Sequence, residues 1–130
     1  MTYFFSTILE NITFEEAITK TKAALKEEGF GVLSEINIKD TLKNKLDVDL
    51  DPYIILGACS PKHAYEAIKS EPNIGVFLPC NVIVKQVRHK TFEVSAVDPI
   101  ASMGSVENKN LGQVAKDVEG KLKKVIARLK

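Results

Sequence analysis

The sequence predicts an α+β domain, a mainly antiparallel sheet of about five strands with two long helices on one face. Three observations carry that reading. Several stretches of strand length alternate apolar and polar residues or run continuously apolar. Two longer stretches repeat apolar residues at helical spacing. A sheet is the only partner large enough to cover the apolar sides of those helices. The 130 residues, 45% hydrophobic and 27% charged, suffice for a core without a metal or disulfide. Neither a linker nor an internal repeat divides residues 1–130, so one domain is expected.

Thr2–Leu9 is rich in aromatic and β-branched residues and reads as the first strand. Tyr3, Phe5, Thr7 and Leu9 point one way, Phe4, Ser6 and Ile8 the other. Thr13-Phe14-Glu15-Glu16 is a capping box, in which the Thr13 hydroxyl and the Glu16 carboxylate satisfy each other's amides. The helix it opens runs over Phe14–Glu28 and stops at Gly29. Phe30–Ile38 alternates, with Phe30, Val32, Ser34, Ile36 and Ile38 on one side, and predicts a half-buried strand. Asp40 is placed as the cap of a short surface helix carrying Leu42 and Leu46. Asp47, Asp49 and Asp51 have the spacing that starts a calcium loop, but the glycine and distal glutamate of that loop are missing.

Tyr53–Cys59, YIILGAC, is a continuous apolar run and predicts an interior strand. Ser60-Pro61 starts a helix with serine as N-cap and proline at the first position, and Pro72-Asn73 ends it. The stretch Gly75–Val84 sets Pro79, Cys80 and Asn81 inside apolar sequence. Val82–Val87 and Thr91–Val97 then form an antiparallel pair around Arg88-His89-Lys90. Phe92, Val94 and Ala96 face one side, Glu93, Ser95 and Val97 the other. Ile100–Lys109 reads as a loop or a short helical turn. In the last segment Leu111, Val114, Ala115, Val118, Leu122, Val125, Ile126 and Leu129 share one face of a long helix.

Charge and composition narrow the function. Eighteen basic and seventeen acidic residues leave a net charge of +1, which gives no general pull toward nucleic acid or anionic lipid, so neither is an expected partner. No apolar run is long enough to span a membrane, and the N-terminus lacks the basic region of a secretory signal. A cytoplasmic protein with two reduced thiols, Cys59 and Cys80, is expected.

Chemistry is sought at those thiols. Cys59 precedes the Ser60 N-cap, where the helix dipole favours a thiolate, and His63 in the first turn offers positive charge or a base. The alternative is that Cys59 simply packs at a strand end and His63 lies on the surface. Cys80 follows a proline inside an apolar run. Either the kink aims its thiol outward, or Cys80 packs inward on an edge strand. Asp98, before Pro99, carries a proton or a cation in one reading and shapes a turn in the other.

LGACSP, LPCNVIV and VDP, in that order, resemble the motifs of the family called domain of unknown function 302, and the resemblance spans nearly the whole chain. It implies a fold similar to that of the TATA-box-binding protein, β-α-β4-α, here with an extra helix between strands. It also implies a small cytosolic homodimer. By the same resemblance Cys80, within Pro79-Cys80-Asn81, matches the motif cysteine, Asp98 the Asp-Pro aspartate, and Cys59 the cysteine at the strand end. No reaction comes with the family.

The first expectation is therefore a homodimeric module that binds a small ligand or a metal. Cys80, Cys59, Asn81 and Asp98 are its ligand-binding candidates. Cys59, Cys80 and His63 would hold a metal, with thiolates suited to zinc or copper. A structural or protein-interaction domain is the second expectation. A thiol-dependent redox protein using Cys80 and Cys59 is the third.

Overall fold

The computed structural model describes residues 2–130. Its elements are β1 (Phe4–Glu10), α1 (Phe14–Glu27), β2 (Gly31–Asn37), α2 (Ile38–Leu46), β3 (Tyr53–Cys59), α3 (Pro61–Ser70), β4 (Cys80–Arg88), β5 (Thr91–Val97), α4 (Pro99–Met103) and α5 (Lys109–Leu129), with a 3₁₀ turn at Pro72–Phe77. The five strands form one sheet in the order β1-β5-β4-β3-β2, and every neighbouring pair is antiparallel. The first strand thus closes beside the last.

Alternation gives the sheet two unlike faces. Leu56 on β3, Val82 and Val84 on β4 and Val94 and Ala96 on β5 are fully buried on one of them. Against them pack Leu25 of α1 and Leu122 and Val125 of α5, also without exposed surface. Each of these Leu and Val side chains stabilises the fold by about 1.5–3 kcal/mol through burial. The other face carries Phe4, Ser6 and Ile8 of β1, Glu93 and Ser95 of β5, Ile83 and Lys85 of β4 and Tyr53 and Ile55 of β3, by the cross-strand register.

Helix ends follow from sequence. The capping box of α1 forms in both directions, Glu16 N to Thr13 Oγ1 at 3.1 Å and Thr13 N to Glu16 Oε1 at 3.2 Å. Beyond the last turn, Gly29 takes φ +83°. Its amide and that of Phe30 then reach back to the carbonyls of Lys26 and Leu25 at 3.0 and 2.9 Å, closing the helix. The long helix α5 starts at Lys109, two residues ahead of the apolar repeat, because the Asn108 side chain accepts from Leu111 N at 3.1 Å. The Asn108 amide also donates to Ser70 O at 2.8 Å, tying α5 to the end of α3.

Three local expectations need correction. In β2 the register shifts between Val32 and Ser34, so Leu33 is an extra residue. Val32 stays on the helix-covered side opposite Ala58, but Ser34 and Ile36 turn to the other face opposite Gly57 and Ile55. Glu35 then swings under α1 and meets Lys22 Nζ at 2.6 Å. A bulge reverses the faces of every residue after it. Next, Ile38 opens α2 rather than ending β2, and the cap is Asn37, which accepts from Asp40 N at 3.1 Å. Finally, β4 is an interior strand that begins at Cys80, so Pro79 precedes it and kinks no edge. Among the described residues no helix is long and apolar enough to cross a membrane.

Candidate functional site

The predicted thiol region lies where β3 ends, β4 begins and α3 crosses. Cys80 opposes Ala58 in the ladder and points to the helix-covered side, where it is buried. The outward, exposed thiol is not formed. Cys59 is part-buried. Both cysteines line one small cavity of about 30 Å³, together with His63, Phe30, Ala58 and Val118. The two cysteines thus line one crevice.

Its chemistry is quiet. Burial raises the Cys80 thiol from its ordinary 9.0 to about 11, helped by the neighbouring charge of Cys59. Burial also raises Cys59. The lowering expected from the helix N-terminus is opposed by that loss of water. The Ser60 hydroxyl makes no bond to the helix amides and instead meets His63 Nδ1 at 2.8 Å. Among the described residues no three His, Cys, Asp or Glu side chains gather as a metal-holding group. Cys59, Cys80 and His63 share the cavity wall without converging on a point. The space is small and its walls are almost wholly apolar, so it offers a polar ligand or ion few partners.

The other candidates sit elsewhere. Asp98 caps α4, its Oδ1 accepting from Ile100 N at 3.0 Å, and so shapes the turn. Asp47 and Asp49 hold Lys43 Nζ at 2.8 and 3.3 Å on an open surface. Their hydrogen bonds, that to Asp47 first, raise the Lys43 pKa. Asn81 follows Cys80 in β4 and faces the opposite side of the sheet, opposite Gly57.

That face holds a bowl of about 320 Å³. Its floor is Ile83 on β4 and Ser95 on β5, which are direct partners in the ladder. Phe4 and Tyr3 rise at the β1 side, Tyr53 at the β3 side and Asn81 at one end. The opposite end is the ion pair of Lys85 Nζ with Glu93 Oε1 at 3.2 Å. Ser95 is only 6% exposed, and its Oγ is a buried side-chain polar atom without a hydrogen-bond partner. Such an orphan is rare, because a buried hydroxyl left unpaired costs about 1–3 kcal/mol.

Sequence reasoning found Asn81 and passed over Ser95, Lys85 and Glu93 as sites. The signal was present in part. Ser95 and Glu93 alternate away from Phe92, Val94 and Ala96, and counting back through the hairpin turn sets Lys85 across from Glu93. The wall from β1 gave no local signal, since it depends on pairing between the first strand and the last.

Comparison with known proteins agrees with this architecture. The family model described as Domain of unknown function DUF302 matches residues 5–129. The crystal structure of an uncharacterized conserved protein DUF302 from Bacillus stearothermophilus is similar over 100% of both chains, with a TM-score of 0.89 and 27% sequence identity. Comparison with curated proteins gives no match. From its motifs, its five-stranded antiparallel sheet and this match along almost its whole length, the chain belongs to the DUF302 family.

Proposed function

We propose that this chain is a small-ligand-binding domain that works as a homodimer, and that its ligand lies in the bowl on the uncovered sheet face. The observation that carries the reading is the convergence of Ser95, Asn81 and the Lys85–Glu93 pair on one depression of ligand size. Binding sites are concave, about 300–1,000 Å³, mostly apolar, and contain a few placed polar groups. The thiol cavity is about a tenth of that volume, so it does not fit the role as well. Its protonated thiols and lack of a third ligand also weigh against metal binding and against thiol redox chemistry.

A second copy of the chain would sit at the β2 side. Leu33 and Ile36 of β2 are exposed, as are Leu46, Val48 and Leu50 in the segment that follows it, Leu33 by 69% and Leu46 by 67%. β2 is an edge strand, and a run of exposed apolar residues beside an open edge favours association. A cytoplasmic setting belongs to the same reading and is supported by two free cysteines.

Titrating the isotope-labelled protein with benzamide and with indole tests the ligand site by amide NMR shifts. Shifts centred on Asn81, Ile83 and Ser95 that disappear in Ser95→Phe support the reading, and Tyr53→Ala, at the rim, guards against misfolding of the first variant. Shifts centred on Ala58, His63 and Ala67, or none with either probe, overturn it.

A further inference from the structure

We propose that residues 31–53 form a two-fold dimerisation arm, with Val48 on the axis and Lys45 of each chain paired with Asp51 of the partner subunit. The inference rests on the homodimer proposed above and names the contacts through which it forms.

The segment stands outside the core. Residues 31–53 include β2, α2 and the run into β3, and not one of the twenty-three is buried. Elsewhere among the described residues no run without a buried residue is longer than eight. The segment is nevertheless apolar in part, exposing Leu33, Ile36, Leu46, Val48 and Leu50. A helix in a protein owes most of its stability to packing of an apolar face, and α2 has no buried residue on which to rest. A further surface completes it. A stable interface takes about 20–30 residues from each side, which matches the length of this segment.

That surface is a second copy, because the end of the segment is its own complement. Leu46 and Leu50 stand two positions from Val48 on either side, and Lys45 and Asp51 three. A two-fold axis at Val48 sets two such stretches antiparallel. Leu46 then meets Leu50 of the partner subunit, and each Lys45 meets Asp51 of the partner subunit, so an apolar centre gains a charged rim. The two charges are available for this. Lys43 already holds Asp47 and Asp49 at 2.8 and 3.3 Å, and Lys39 donates to Leu50 O at 2.7 Å. Lys45 and Asp51 are exposed and join none of the ion pairs among the described residues. The flexible four-carbon stem of lysine spans the step from the end of α2 to the stretch beyond it. The three aspartates that lack the rest of a calcium loop thus divide: two brace α2, and the third faces the partner.

Sedimentation equilibrium of the full chain tests the pairing. Lys45→Glu alone, or Asp51→Lys alone, puts like charges face to face at both pairs of the homodimer. Each should dimerise roughly tenfold more weakly than the wild type. Mixed in equal amounts, the two variants should regain the wild-type affinity, because every pair in the mixed dimer is again of opposite sign. Recovery on mixing also shows that both chains are folded, and Lys45→Asp with Asp51→Arg repeats the test if either first variant is unfolded alone. Single variants that dimerise as the wild type does, or weakened variants that do not recover on mixing, overturn the arm while the homodimer stands. A wild type that stays monomeric at high concentration overturns both.

Discussion

Cys80 and Asn81 are consecutive in β4 and look out from opposite faces of the sheet, one against Ala58 beneath the helices, the other against Gly57 on the uncovered side. A single motif therefore serves two regions. The thiol takes part in a tight internal joint, and the carboxamide helps to bound the bowl. Packing and recognition meet at one strand end, and the two can be separated by substitution.

The first prediction concerns Ser95. Its buried hydroxyl lacks a partner, so Ser95→Ala should leave stability unchanged or raise it by about 1 kcal/mol. Urea unfolding of both proteins measures it. A loss greater than about 1 kcal/mol would show that the hydroxyl is already bonded in the unliganded protein.

Cys80 makes stability depend on alkaline pH. In the unfolded chain the thiol ionises near its ordinary 9.0, whereas the folded protein holds the proton to about 11. The folded state thus binds more protons between those values, and stability falls as pH rises through them, by about 2–3 kcal/mol in all. Chemical unfolding at pH 8.5, 10 and 11 should show a steeper fall for the wild type than for Cys80→Ala, in which the other titrating groups remain. Equal slopes would contradict a raised thiol. Below pH 9, a thiol reagent should modify Cys59 well before Cys80.

Gly57 is a position of close approach. A Cβ there would meet Pro79 Cγ at 2.8 Å and the Ser34 hydroxyl. The serine can rotate aside, but the proline ring is fixed by its own backbone. Gly57→Ala should cost about 1–3 kcal/mol, as overpacking does, and Gly57→Ala with Pro79→Ala should recover part of it. Thermal unfolding of the single and double variants reads the coupling.

At the β2 side, Leu33→Glu combined with Leu46→Glu should convert the proposed dimer to a monomer. Both side chains are more than two-thirds exposed, so chain stability itself should change by under about 0.5 kcal/mol. Sedimentation equilibrium decides it, and a wild type that stays monomeric at high concentration would refute the proposed dimer.

The parts of the fold that were legible in sequence are those set by local rules. Thr13 with Glu16, Gly29 after α1 and the apolar face of α5 each need only a few neighbouring residues to be read, and β3 and β5 match the predicted bounds. The bulge at Leu33 was hidden because Phe30–Ile38 alternates regularly, and only pairing with β3 reveals the extra residue. Asn37 was hidden as a cap because Ile38 continued the strand pattern. That Cys59 and Cys80 line one crevice was not legible, because it depends on the β3–β4 register that sets Cys80 beside Ala58. Its small volume and its raised thiols depend on how α3, α4 and α5 close over it, which no motif states. The bowl needs β1 beside β5, a contact between strands more than 80 residues apart in sequence.

The central claim is that the uncovered sheet face, rather than the thiol crevice, receives the ligand. A crystal of the protein soaked with benzamide tests it most directly. Difference density over Ile83, between Asn81 and the Lys85–Glu93 pair, is the predicted result. Density beside Cys59 and Cys80, or a sheet face filled by the second copy with no benzamide on it, would contradict the account.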